Sequence, residues 1–120
     1  MAEVHLTDRA LTDLQDIYDY SVTTWDEIVA DKYIEDIGAI LKLLESNPKI
    51  LKAKPQISKR FKTYQARRHY LIFEIVNEII ILLTIQHVSM NTLENIREIE
   101  PVLDQECNAL YKKLKDRYKS

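Results

Sequence analysis

Few side chains in this sequence have the chemistry for catalysis or ligand binding. They are three histidines, an adjacent pair of arginines, one cysteine and several carboxylates. Arg67 and Arg68 could hold a phosphate, and His87 could give or take a proton. His5, His69 and His87 have no ligand-type spacing, so no metal site is expected. His69 reads as a strand-edge residue, and His87 as a residue at the end of the last strand, bonded to a neighbour. Asp13, Asp16 and Asp19 read as the solvated face of a helix. Cys107 is the single cysteine, which excludes an intrachain disulfide and a Cys-rich zinc site. It reads as a small buried apolar group.

Cationic side chains form the densest cluster. Lys49, Lys52, Lys54, Lys59, Arg60, Lys62, Arg67 and Arg68 fall in residues 49–73 without one acid, although the whole chain carries −2. Residues 1–48 are strongly acidic, with eleven acids against three bases. The chain is therefore no general binder of nucleic acid, and sequence-specific binding on its own is not expected. The basic block is either a solvated loop and strand face or a docking surface for an acidic partner.

The elements that must position these groups are legible from periodicity. Residues 3–6 alternate as a short strand. Thr7 is placed to cap a helix, with Asp8 in its first turn. Leu11, Leu14, Tyr18, Val22 and Trp25 then recur as the apolar stripe of that helix. Asp26 begins a second helix through Ala30, Tyr33, Ile34, Ile37, Ile40, Leu41 and Leu44, ended by Asn47-Pro48. Residues 49–58 read as a basic loop, and Lys59–Gln65 as a strand with one polar face. Tyr70–Val76 and Ile79–Gln86 are strands apolar on both faces, joined at Asn77-Glu78 in a tight hairpin. Ile96, Ile99, Leu103, Cys107, Leu110, Leu114 and Tyr118 form a last helical stripe, interrupted by Pro101. That proline requires a new helix or a kink.

A length of 120 residues suits one domain with a sizeable core. One glycine leaves no means of building a phosphate-cradling loop. The longest apolar run, Ile79 to Leu83, is too short for a membrane span. A cytoplasmic protein with no cofactor is the simplest expectation.

Three runs resemble the RelE/ParE superfamily of bacterial toxins, most closely its ParE branch. They are residues 6–20, with their Ala10-x-x-Asp13-Leu14 pattern; Trp25 followed by Ala30, Tyr33, Ile37 and Asn47-Pro48; and residues 70–91, closing in His87-Val88-Ser89-Met90-Asn91. The resemblance covers residues 3–91. Two features depart from it: Asp26 stands where the family usually has glycine after the tryptophan, and residues 92–120 run past a typical ParE chain.

The resemblance implies an α+β fold, with a strand, a helical hairpin and a three-stranded antiparallel meander in a small mixed sheet. Residues 1–91 would be the toxin domain, and 92–120 a C-terminal helical extension packed on it. It also implies the toxin of a type II toxin–antitoxin system, which arrests growth and stabilises plasmids. Such a toxin inhibits DNA gyrase by protein contact, without catalysis, and is neutralised by a cognate antitoxin. Lys59, Arg60, Lys62, Arg67, Arg68 and His87 are the partner-binding candidates, and Leu14, Tyr18, Trp25, Tyr33 and Ile37 the antitoxin-groove candidates. The alternative is RelE-like cleavage of messenger RNA on the ribosome by Arg67, Arg68 and His87. Against it, no carboxylate lies between Lys49 and Phe73, and no tyrosine follows His87 before Tyr111. A non-toxic binding module is the third possibility.

Overall fold

The computed structural model describes residues 3–89 and 91–118, the last without its side chain. Met90 of the closing run and the Tyr118 side chain of the last stripe lie outside the described residues. The elements are β1 (Glu3–Leu6), α1 (Asp8–Thr24), α2 (Glu27–Ser46), β2 (Lys52–Lys54), β3 (Ser58–Ala66), β4 (His69–Val76), β5 (Ile79–His87) and α3 (Thr92–Tyr118). Five strands form one mixed sheet in the order β1-β5-β4-β3-β2, with β1 parallel to β5 and the others antiparallel. This is the expected α+β architecture, with a strand, a helical hairpin and an antiparallel meander in one mixed sheet.

Strands β4 and β5 form the centre, and both of their faces are dry. Leu71, Phe73, Ile80, Leu82 and Ile85 pack against Ala10 of α1 and Tyr33, Ile37 and Leu44 of α2. On the other face, Ile72, Ile81 and Leu83 join Phe61 of β3 and meet Ile96, Leu103 and Cys107 of α3. The β4–β5 register shifts by one residue: Phe73 faces Leu82 while Ile72 faces Thr84, so Leu83 is the extra residue of a bulge. Asn77 and Glu78 close the hairpin with φ of 47° and 55°, the twist that a two-residue turn between antiparallel strands requires.

Three expectations need correction. The inward line of α1 is Ala10, Leu14, Ile17 and Ser21, whereas Leu11, Val22 and Trp25 are exposed. The reason is proximity: the buried contacts of α1 are made by small Ala10 and Ser21, which let the helix lie close to its neighbours. Residues 49–58 are not simply a loop. A short 3-10 turn at Pro48–Ile50 leads into β2, an edge strand paired with β3. Asp13 is not solvated; its Oδ2 accepts from the Thr84 hydroxyl at 2.6 Å and from the Ile85 amide at 3.1 Å.

That last contact continues what β1 begins. β1 covers the edge of β5 only as far as Leu82. Thr7 then donates its amide to the Leu82 carbonyl and its hydroxyl to the Leu83 carbonyl, while its hydroxyl oxygen caps α1 by accepting from the Ala10 amide. Asp13 takes the next exposed amide. The edge of β5 is thus satisfied without a longer β1.

Helix α3 runs through Pro101 as one element, at the expense of the bond that the missing amide would have made to the Arg97 carbonyl. Ile96, Leu103, Cys107 and Leu114 are its buried apolar positions. Burial, then the nearby Glu74 carboxylate, push the Cys107 thiol up to about 11, which leaves it inert near neutrality. Polar contacts hold α3 along its length. Arg9 of α1 bonds Glu106 at 2.6 Å, Arg60 of β3 pairs with Asp104, Glu100 and Glu74, and Asn77 donates to the Tyr111 hydroxyl at 2.6 Å. Replacing Leu103 with alanine is expected to cost about 2–5 kcal/mol of stability. Val102→Ala, at the exposed neighbouring position, should change it by less than about 0.5 kcal/mol. Urea unfolding of the two variants checks the difference.

Candidate functional site

The turn between β3 and β4 has only two residues. Ala66 faces His69 across the ladder, leaving Arg67 (φ 54°) and Arg68 at the tip. The β5 bulge sets what lies beside it. Without the extra residue His69 would face Gln86; with it, His69 faces His87, and their rings meet edge to face at 5.1 Å. A bond from the Val88 amide to the Arg68 carbonyl, 2.8 Å, extends the pairing one step.

Tyr33 reaches this corner from α2. Its hydroxyl lies 3.2 Å from the Ala66 carbonyl and is hydrogen-bonded to His69 Nδ1. All three groups are satisfied when Nδ1–H donates to the hydroxyl and the hydroxyl donates to the carbonyl, a tautomer assigned from the network. Burial, and then the neighbouring His87, depress His69 to about 4, so its ring is neutral near pH 7. Burial raises the Tyr33 hydroxyl above its ordinary value. His87 Nδ1 accepts from the Ser89 amide at 3.0 Å and lies 2.6 Å from the Ser89 hydroxyl. In the neutral ring this places the proton on Nε2.

Between this corner and the helical hairpin lies an apolar cleft of about 260 Å³, with Ile17, Trp25 and Tyr33 among its walls and Arg68, His69 and His87 at one end. Asp16, Tyr20 and Ser21 of α1 complete the lining. A second hollow of about 390 Å³ shares Trp25, Tyr33 and Arg68 with it and continues past Val29 to Arg67. Trp25 is 58% exposed, with the Tyr20 ring edge-on at 6.1 Å.

The structure divides the candidate residues. Arg68 and His87 meet in the cleft. Arg67 lines the second hollow instead, paired with Asp36 and with its guanidinium 5.3 Å from the Tyr33 ring centre. Arg60 is paired with Glu100 and Asp104 of α3 and with Glu74 of β4, and does not line the cleft. Lys59 is exposed and Lys62 half-buried on β3. Of the groove candidates, Trp25 and Tyr33 line the cleft. Leu14 is half-buried against the core, Tyr18 donates to Asp31 at 3.1 Å, and Ile37 is 1% exposed within the core.

His5 pairs with Ile81, about 20 Å along β5 from His87. Among the described residues no group of three His, Cys, Asp or Glu side chains could hold a metal ion. Periodicity alone missed Asp16, Tyr20 and Ser21. Their signal was the i, i+4, i+5 spacing around Ile17, with a small residue opening room beneath an aromatic one. Chemically, the cleft can hold an anion on Arg68, offer a proton from His87 Nε2 and bury a large apolar group.

The family model described as ParE toxin of type II toxin-antitoxin system, parDE, matches residues 4–92. Among solved structures, one described as the chromosomal ParDE TA system from P. aeruginosa is similar at 24% identity and a TM-score of 0.65, covering 74% of this chain and 98% of that one. No curated protein matches. No helix among the described residues is long and apolar enough to cross a membrane.

The depressed His69 pKa makes stability depend on pH. The unfolded chain binds a proton at His69 near pH 6.5, the folded one only near 4. This contribution is therefore full above 6.5 and is lost as pH falls from 6.5 toward 4. Urea midpoints measured across that window should fall less steeply for His69→Gln than for the parent chain.

Proposed function

Because the chain belongs to the ParE toxin family of type II toxin–antitoxin systems, we propose that it acts on DNA gyrase by protein–protein contact and that a cognate antitoxin neutralises it. The observation that carries this reading is the family match, which spans β1 through β5 and reaches the first residue of α3. The chemistry of the cleft supports it. His69 is neutral and bonded to Tyr33, Arg67 is engaged by Asp36, and the walls are apolar and aromatic. Such a surface is suited to binding a polypeptide. Lys59, Lys62, Arg67, Arg68 and His87 are the groups proposed to meet partners; Arg60, held by three carboxylates, would first have to leave them. Growth arrest, plasmid stabilisation and action in the bacterial cytoplasm follow from this role. Purified protein is expected to block supercoiling by gyrase and to trap cleaved DNA. Supercoiling that proceeds unchanged over a range of toxin concentrations would reject the proposal.

One observation favours a second reading. Arg68 and His87 converge in the cleft, and Asp16 brings to it the carboxylate missing between Lys49 and Phe73. An endoribonuclease could use Arg68 for the phosphate, with His87 and Asp16 as acid and base. Primer extension on translated messages in cells expressing the chain separates the readings. With gyrase as target, messages stay intact; with RNA as substrate, His87→Ala and Arg68→Ala lower cleavage by about 10²-fold or more.

A further inference from the structure

The basic block of the sequence is only partly used by the fold. Two of its arginines are engaged, Arg60 by Glu74, Glu100 and Asp104, and Arg67 by Asp36. Its lysines are not. Lys49, Lys52, Lys54, Lys59 and Lys62 make no side-chain hydrogen bond or ion pair among the described residues, and Lys49, Lys52 and Lys59 are exposed. They gather on one edge of the sheet. Lys49 lies in the 3-10 turn that leads into β2, and Lys52 and Lys54 belong to β2, the outermost strand. Across the ladder Ala53 faces Lys62, and Lys54 faces Ser58, the neighbour of Lys59. Strand spacing and rise put the backbones of Lys52, Lys54, Lys59 and Lys62 within roughly 15 Å of one another.

This rim lacks what a protein partner or a single strand would grip. Among the described residues, no exposed large apolar side chain lies between Leu43 and Ile75, so there is no anchor of the kind on which protein interfaces depend. Phe61 is buried and Tyr64 half-buried, so no ring is offered for unpaired bases to stack on. Lysine on an edge strand also deters strand pairing, but that purpose needs neither Lys49 nor Lys59, which lie off β2, nor the absence of any acid from Ser46 to Phe73. The net charge of −2 does not oppose the rim either. Asp19, Asp26 and Glu27 surround the hairpin tip, whereas β2 follows from the opposite end of the 20-residue α2, about 30 Å away and several screening lengths distant at physiological salt.

We propose that the lysine rim is a sequence-independent site for the backbone phosphates of duplex DNA. Phosphate contact requires positive charge and no apolar anchor. A duplex presents one charge per about 1.7 Å, whereas an extended acidic peptide presents at most one per about 3.3 Å. The choice of DNA over an RNA duplex rests on the gyrase reading, in which the target itself holds DNA that the rim would touch beside it.

The full-length chain is titrated into a short fluorescein-labelled DNA duplex, with binding followed by anisotropy at several salt concentrations. Five phosphate contacts give a slope of log K against log salt of about −4.5. Two duplexes of unrelated sequence should bind equally within about twofold. Replacing the three exposed lysines together, Lys49→Ala, Lys52→Ala and Lys59→Ala, leaves two contacts and a slope of about −1.8. Lys112→Ala, Lys113→Ala and Lys115→Ala remove the same charge from exposed positions of α3 and should leave the slope unchanged.

Four outcomes overturn the proposal. They are no binding at about 30 mM salt, an equal loss of slope in the α3 variant, displacement by polyglutamate as effective as by unlabelled duplex, and tighter binding of single-stranded DNA or of an RNA duplex. The titration needs no gyrase. Duplex binding with the expected slope but unchanged supercoiling rejects the target and keeps the rim, whereas gyrase inhibition by a chain that binds no duplex rejects the rim.

Discussion

A pair of strands that is apolar on both faces must be shielded from water twice, and that requirement organises the rest of the molecule. Each large side chain buried from β4 or β5 contributes about 1.5–3 kcal/mol, provided that a covering layer is present. The helical hairpin covers the Leu71–Phe73–Ile80–Leu82 side and α3 covers the Ile72–Ile81–Leu83 side. The matched solved relative is covered almost to its full length, yet only 74% of this chain takes part. Most of α3 lies beyond the matched family region as well. The second cover in this chain is supplied by α3, held by Arg9, Arg60 and Asn77 at separate points along its length.

Charge distribution follows the same division of labour. The acidic hairpin and the basic β2–β3 region are joined through Arg67 and Asp36, and the basic strand meets the acids of α3 through Arg60. The remaining carboxylates on α1 serve different ends according to height along the helix. Asp13 bonds to the edge of β5, Asp16 opens into the cleft, and Asp19 accepts from Gln15. Uniform spacing in the sequence thus conceals three distinct environments.

Periodicity was sufficient for the helices, the caps at Thr7 and Asp26, the β4–β5 hairpin and the α+β order. It was insufficient where contact depends on distance between elements. The inward line of α1 departs from its apolar periodicity because its closest contacts use Ala10 and Ser21, whose small size is the adaptation. β2 escaped detection because a three-residue edge strand rich in lysine has no alternation to show. Arg68 and His87 were visible as candidate residues, but their meeting depends on one extra residue at Leu83, which no local pattern marks. The cleft combines α1, α2, β4 and β5, so its shape is a property of tertiary packing alone.

The parallel pairing of β1 with β5 joins the first strand to the last, Glu3 to Ile79 and Leu6 to Leu82. During translation α1 and α2 leave the ribosome well before the strands they cover, since synthesis proceeds from the N-terminus at about 5–20 residues per second. Ala10, Ile37 and Leu44 have no sheet to rest on until β5 has emerged, and β1 has no neighbour to pair with. Helix α3 then emerges last, onto a face already formed. The acidic hairpin segment is accordingly synthesised before the sheet that covers its apolar side, and its like charges oppose association with another copy at that stage.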